Sequence, residues 1–136
     1  MTPYARNIAR SLVKNPKIYF FDTGMVRGDP GVIFENMTAV CLLKHVLGQT
    51  DMKGKEFTLH YLRTRNGKET DFCVAREGKA ELLVESKFAD REFDRSLFYF
   101  SERIGVPGVQ VVNDLLRERE SGRLKLRMAE NFFPEL

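Results

Sequence analysis

Two carboxylates and a lysine lie in short apolar segments, at positions where a plain core strand would carry Val or Ile. Asp71 lies in segment 69–72, and Glu85 and Lys87 lie in segment 82–87. Because side chains alternate along a strand, Glu85 and Lys87 are predicted to point to the same face. A turn at Gly78 would join the two segments as a hairpin and set Asp71 beside Glu85. Two carboxylates beside a lysine predict a divalent metal site next to a polarising cation.

The other face of the second segment is predicted to pack into the core. A hydroxyl at Ser86 on that face needs a partner, because an unsatisfied buried donor costs about 1–3 kcal/mol. Without metal, Asp71 and Glu85 would face each other as like charges. This repulsion predicts that Asp71→Asn leaves the metal-free protein at least as stable as the wild type.

A third carboxylate, Glu35, is isolated on the best predicted helix, which covers 32–47 and is expected to end at Gly48. Between positions 31 and 43, Glu35 is the only charged residue. Spacings of i+4, i+7 and i+11 put three apolar residues on its face, namely Ala39, Leu42 and Val46. Two interpretations stay open: a role in the site, or a first-turn glutamate favoured by the helix dipole.

Other elements follow from periodicity and turn signals. Segments 57–63, 70–76 and 80–88 predict an antiparallel meander of three strands. Apolar residues at 93, 97, 100 and 104 predict an amphipathic helix capped by Asp90. Segment 109–112 reads as a buried strand reached by a crossover, and therefore as parallel to its neighbour.

The two ends of the chain give weaker signals. Residues 5–14 predict a short amphipathic helix, and residues 17–22 are β-prone, with Asp22 better suited to capping a turn than to the site. Residues 124–128 alternate apolar and basic side chains, which predicts an edge strand. The tail at 132–134 is expected to pack on the domain.

Composition bounds the class of protein. The 136 residues are 43% hydrophobic and 30% charged, as in a soluble globular domain. No apolar run of about 18 residues and no signal peptide is evident, so we expect a cytoplasmic protein with no membrane partner. Cys41 and Cys73 lie in apolar segments without a motif for a disulfide or a zinc site, so we interpret them as small hydrophobic residues. A net charge of +3 permits nucleic acid as a partner without demanding it.

The predicted elements follow the order helix with Glu35, strand with Asp71, strand with Glu85-Ser86-Lys87, helix and strand. This order resembles the restriction-endonuclease-like fold of the PD-(D/E)xK nuclease superfamily. This resemblance covers residues 31–112. Four blocks more narrowly resemble an uncharacterised C-terminal domain of prokaryotic AAA+-type ATPases, namely residues 17–24, 34–36, 61–64 and 69–72.

The resemblance implies an α/β fold with a three-layer core, in which helices flank a mixed central sheet. It implies one domain over 1–136, divided into an N-terminal extension (1–30), a core (31–112) and a C-terminal strand and tail (113–136).

The same resemblance implies roles for single residues. Asp71 and Glu85 would bind Mg²⁺ or Mn²⁺ together with the backbone carbonyl of Ser86. Lys87 would orient and help deprotonate the attacking water and would stabilise the transition state of phosphodiester hydrolysis. Glu35 matches a helical glutamate that serves as a further ligand or orienter. Thr70 replaces the proline of the motif, and Ser86 replaces its usual apolar middle residue.

The implied function is that of a metal-dependent nuclease, with nucleic acid, favouring DNA, as its partner. No phosphate-binding Gly-x-x-x-x-Gly-Lys-Ser/Thr motif occurs, so the ATPase partner would be another domain of a longer protein or another chain. A homodimer is compatible with the sequence. Two alternatives stay open: a non-catalytic module that binds nucleic acid or an ATPase, and a structural or dimerisation domain. Asp71, Glu85 and Lys87 together favour the nuclease, because a binding module gains nothing from carboxylates that face phosphate.

Overall fold

The structure, a computed structural model, describes residues 1–3, 17–20, 27–90 and 92–136. The predicted helix at 5–14 and the residue Asp22 lie outside this part of the chain. The described elements are β1 (Thr2–Pro3), α1 (Pro30–Lys53), β2 (Phe57–Arg63), β3 (Glu69–Arg76), β4 (Lys79–Lys87), α2 (Arg95–Ile104), β5 (Gly108–Val112), β6 (Arg119–Ser121), β7 (Leu124–Met128), α3 (Ala129–Phe132) and a 3-10 turn (Phe133–Glu135).

Within the described residues the strands form one mixed sheet in the order β1-β2-β3-β4-β5-β7-β6. Antiparallel pairing joins β2, β3 and β4, which confirms the predicted meander. The helix α2 then carries the chain over to β5, which pairs with β4 in parallel, as predicted. The prediction of an edge strand at 124–128 is wrong, because the short, fully exposed β6 pairs antiparallel with the outer side of β7.

Helices cover both faces of this sheet. On one face α1 contributes Phe34, Leu42 and Val46 to a core that includes strand residues such as Phe72 and Val84, and the tail residue Phe132. On the other face α2 packs on a second set of strand residues, and the shared core contains Leu62, Cys73, Leu83, Leu97 and Phe100. The described residues therefore form the predicted α/β arrangement, a mixed sheet between helical layers.

The helix α1 is longer than predicted. It begins at Pro30, where the Asp29 side chain accepts a hydrogen bond from the backbone of Val32, and it ends at Gly54, whose φ is 64°. The prediction that Gly48 ends this helix is wrong, since the chain stays helical through that position. Thr50 explains the extension, because its hydroxyl accepts a hydrogen bond from the backbone N–H of Phe57 and so ties the last turns to β2.

By length and composition α1 would also suit a membrane span, a candidate that was not expected from the sequence. In this structure one face of α1 buries Ala39, Leu42 and Val46 against the sheet. This is the pattern of a core helix.

The helix α2 begins five residues later than its predicted cap. Asp94, not Asp90, is the N-cap, and its Oδ1 accepts hydrogen bonds from the backbone of Ser96 (2.8 Å) and Leu97 (3.2 Å). The position of this N-cap depends on Gln110, a fully buried residue of β5. Its side chain accepts a hydrogen bond from the Asp94 backbone and donates one to the carbonyl of Glu92, both at 2.8 Å.

A tight turn between β3 and β4 and a bulge between Val74 and Ala75 together set the register on which the candidate site depends. Glu77 and Gly78 have φ angles of 51° and 78°, the positive values that a two-residue hairpin turn requires. The strands then pair so that Phe72 lies opposite Val84. Asp71 and Glu85 are therefore neighbours across the two strands.

Candidate metal centre

Asp71 and Glu85 are in direct contact and almost fully buried. The Oε2 atom of Glu85 accepts a hydrogen bond from the backbone N–H of Asp71 at 3.3 Å. The Oδ2 atom of Asp71 accepts two hydrogen bonds from Ser86, one from its backbone N–H (3.0 Å) and one from its hydroxyl (2.8 Å). The exposed fractions are 6% for Asp71 and 5% for Glu85. The Ser86 hydroxyl, which was predicted to lie on a core face and to need a partner, thus donates its hydrogen bond to Asp71.

The two carboxylates are unequally compensated. Asp71 has both Ser86 donors, and the ammonium of Lys17 lies 3.7 Å from its Oδ1. Glu85 has the weaker backbone contact, and Lys87 lies 3.9 Å from its Oε1. Burial, followed by the negative charge of Asp71, raises the pKa of Glu85 to about 10. A cation bound to this acid would have to displace its proton and would then stabilise its charged form.

Lys87 lies between Glu85 and the cap residue of α2. Its ammonium is 3.2 Å from Oδ2 of Asp94, while the other oxygen of Asp94 caps the helix. Burial alone would lower the pKa of Lys87, but the charges of Glu85 and Asp94 outweigh burial and raise it. Lys87 is therefore held as an ammonium ion, which suits the stabilisation of negative charge better than the expected help with deprotonating water.

Glu35 points from α1 toward the acid pair rather than into bulk solvent. Its Oε2 accepts a hydrogen bond from the hydroxyl of Tyr19 at 2.6 Å and lies 3.5 Å from the ammonium of Lys17. Burial and then the charge of Asp71 raise the pKa of Glu35. Burial and the bond to Glu35 likewise raise the pKa of Tyr19, so its hydroxyl remains a donor. Glu35 thus belongs to the same electrostatic cluster.

Sequence reasoning missed several residues of this cluster. Lys17 contacts three carboxylates, at 2.8 Å from Glu69, 3.5 Å from Glu35 and 3.7 Å from Asp71. Nothing in the sequence near position 17 predicts this, since 52 residues separate Lys17 from Glu69. Asp94 was also missed, although an aspartate just before an amphipathic helix is a capping signal that could have identified it.

Hard oxygen donors are available at the acid pair. In the described part of the chain, no group of three or more His, Cys, Asp or Glu side chains could hold a metal ion. Mg²⁺ is nevertheless often bound by one or two carboxylates and several waters, so the pair formed by Asp71 and Glu85 fits such an ion. The backbone carbonyl of Ser86 and the carboxylate of Glu35 stay predicted further ligands.

No family model and no curated protein matches the chain. A solved structure to which the chain shows some similarity is described as a refined half-complex from the tetradecameric assembly of Thermococcus gammatolerans McrB AAA+ hexamers with bound McrC. The similarity has a TM-score of 0.48 and a sequence identity of 12%, and it covers 74% of this chain. It covers 27% of the other chain, so this chain spans about a quarter of that length.

Proposed function

We propose that this chain is a metal-dependent nuclease that hydrolyses phosphodiester bonds of nucleic acid, with Mg²⁺ or Mn²⁺ at Asp71 and Glu85. The observation that carries the proposal is the adjacency of two buried acids, with the Glu85 carboxylate hydrogen-bonded to the Asp71 backbone and the ammonium of Lys87 3.9 Å from Glu85. Burying an acid pair costs several kcal/mol per ion unless partners compensate for it, and such an arrangement is typical of a functional site. When bound, the metal would polarise a phosphoryl oxygen and activate a water molecule.

The side chains around the pair have distinct tasks in this proposal. Ser86 donates two hydrogen bonds to one oxygen of Asp71 and so leaves the other oxygen for a cation. Lys87, an ammonium held by Asp94, would stabilise the negative charge that develops on the phosphoryl group. Glu35 would orient water or serve as a further ligand.

The remaining assignments belong to the same proposal. Membership of the PD-(D/E)xK superfamily is supported by the order of the elements. The helix α1 with Glu35 precedes the antiparallel strands with Asp71 and Glu85-Ser86-Lys87, and the crossover helix and the parallel strand follow. With it we propose DNA as the favoured substrate, a cytoplasmic location, an AAA+-type ATPase in the same or another chain as partner, and a homodimer as a compatible assembly.

One observation favours the alternative of a non-catalytic binding module. Lys17 forms ion pairs with Glu35, Glu69 and Asp71, and it thereby neutralises part of the acidic cluster from within the chain. In that case the acids would form a structural ion network, and the surface around it would bind nucleic acid or an ATPase without cleavage.

A cleavage assay separates the two functions. Single- and double-stranded DNA and RNA are incubated with the purified protein in Mg²⁺, Mn²⁺ or EDTA, without ATP. We expect metal-dependent cleavage by the wild type and a rate lower by about 10²–10³ for Lys87→Ala, the usual cost of losing one electrostatic stabiliser. Lys125→Ala, at an exposed lysine of β7, is the matched control and should cleave like the wild type. Activity that survives Lys87→Ala contradicts the proposal, and inactive wild type that binds metal favours the alternative.

A further inference from the structure

We propose that Lys17 is a built-in counter-ion that competes with the divalent cation for Asp71, so that the segment 17–20 sets the metal affinity of the candidate centre. This inference rests on the proposed metal site. It concerns a residue that lies far from the acids in sequence and that the proposed chemistry does not use.

The competition follows from which oxygen of Asp71 is left for a cation. Its Oδ2 accepts both hydrogen bonds from Ser86, whereas the ammonium of Lys17 lies 3.7 Å from Oδ1. The side chain of Lys17 is only 15% exposed, so solvent screens its charge less than at an open surface. A divalent ion bound to Oδ1 would therefore lie close to a positive charge and would be repelled by it.

Contacts of the residues that follow Lys17 fix its position. Asn36, a buried residue of α1, accepts a hydrogen bond from the backbone N–H of Phe20 and donates one to its carbonyl, both at 2.8 Å. At the residue before Phe20, the hydroxyl of Tyr19 donates a hydrogen bond to Glu35, and the ring of Tyr19 lies 5.7 Å from that of Phe72. This docking fixes the backbone that delivers the Lys17 ammonium to the acids.

Lys17 can give up Asp71 without leaving its place. Its shortest contact is with Glu69, at 2.8 Å, and its contact with Asp71 is the longest of the three. The ammonium also lies 5.6 Å from the ring centre of Tyr61, a cation–π distance that helps to retain it. Metal binding would thus cost mainly the attraction between Lys17 and Asp71, which makes Lys17 a regulator of affinity and not a permanent block.

The test measures Mn²⁺ binding by calorimetry at fixed pH, with Mn²⁺ electron paramagnetic resonance as a second readout. Lys17→Met keeps an unbranched side chain, one atom shorter, and removes its charge, and we expect it to bind Mn²⁺ on the order of tenfold more tightly than the wild type. Lys17→Arg keeps the charge and should bind like the wild type. Asn36→Ala keeps the charge but releases the clamp on the segment, and it should also bind more tightly. Lys68→Met, at a lysine over the ring of Tyr99, is the control and should change nothing.

The outcomes separate this inference from the proposed function. Asp71→Asn added to Lys17→Met should abolish the binding, which assigns it to the acid pair. If the wild type binds Mn²⁺ through Asp71 but Lys17→Met binds equally or more weakly, the inference is wrong and the metal site stands. If no folded variant shows binding that depends on Asp71, both are wrong. Should Lys17→Met fail to fold, an unchanged affinity in Asn36→Ala overturns the inference.

Discussion

Glu85→Gln should stabilise the metal-free protein at and above neutral pH and remove most of its pH dependence there. Glu85 is 5% exposed, and burial, followed by the charge of Asp71, raises its pKa from the ordinary 4.5 to about 10. Glutamine has nearly the same shape, and its carbonyl can still accept the hydrogen bond from the Asp71 backbone, which is 3.3 Å long with Glu85. The substitution therefore removes the ionisation and little else.

The direction of the change in stability with pH follows from proton linkage. A carboxyl with a raised pKa in the folded state binds its proton more tightly there than in the unfolded chain. Its contribution to stability is fully present below the unfolded pKa and is lost as the pH rises through the folded pKa. For Glu85 that window runs from 4.5 to about 10. A difference of one proton corresponds to about 1.4 kcal/mol per pH unit, so the wild type should lose on the order of 2–3 kcal/mol between about pH 6 and pH 8.

The assay is urea denaturation in EDTA at three pH values across that range, for the wild type, Glu85→Gln and a control. Glu81→Gln is the matched control, because Glu81 lies on the same strand and is exposed; it should shift the free energy of unfolding by less than about 0.5 kcal/mol. Mg²⁺ at ten times its Kd should stabilise the wild type by about 1.4 kcal/mol and Glu85→Gln by less. A flat profile for the wild type, with Glu85→Gln destabilised, would refute the reasoning and mark Glu85 as a satisfied structural acid.

Three further predictions follow from individual contacts. Asp71→Asn should destabilise the metal-free protein by about 1–3 kcal/mol in a thermal melt, contrary to the expectation from sequence, because it gives up the ion pair with Lys17 while the raised pKa of Glu85 leaves little repulsion to relieve. Gly48→Ala should raise stability by roughly 0.5–1 kcal/mol, since Gly48 lies inside α1 and an added Cβ would meet nothing within 4 Å; a lower melting temperature would contradict this. Asp94→Ser should keep the cap of α2, and with it the melting temperature, but lower the nuclease rate, whereas Asp94→Ala should also cost about 1 kcal/mol of stability.

Elements with local signals could be predicted from the sequence alone. Alternation and the turn at Gly78 predicted the meander and the neighbouring positions of Asp71 and Glu85. The bulge between Val74 and Ala75, on which that register also depends, was not predicted. Helical spacing predicted that the face of Glu35 would be buried with Ala39, Leu42 and Val46, as it is in α1. These inferences hold because strand and helix periods set which side chains share a face.

Which charges meet, and how far they are compensated, depends on the packing of distant segments. The chain brings Lys17 to Glu69 across 52 residues, and it places the cap of α2 at Asp94 through Gln110 across 16 residues. The pKa of Glu85 depends on its burial in the folded chain and on the charge of Asp71. The end of α1 at Gly54 depends on the contact of Thr50 with β2. Contacts of this kind are not encoded in local propensities, because their energies exist only once distant segments have packed together and excluded water.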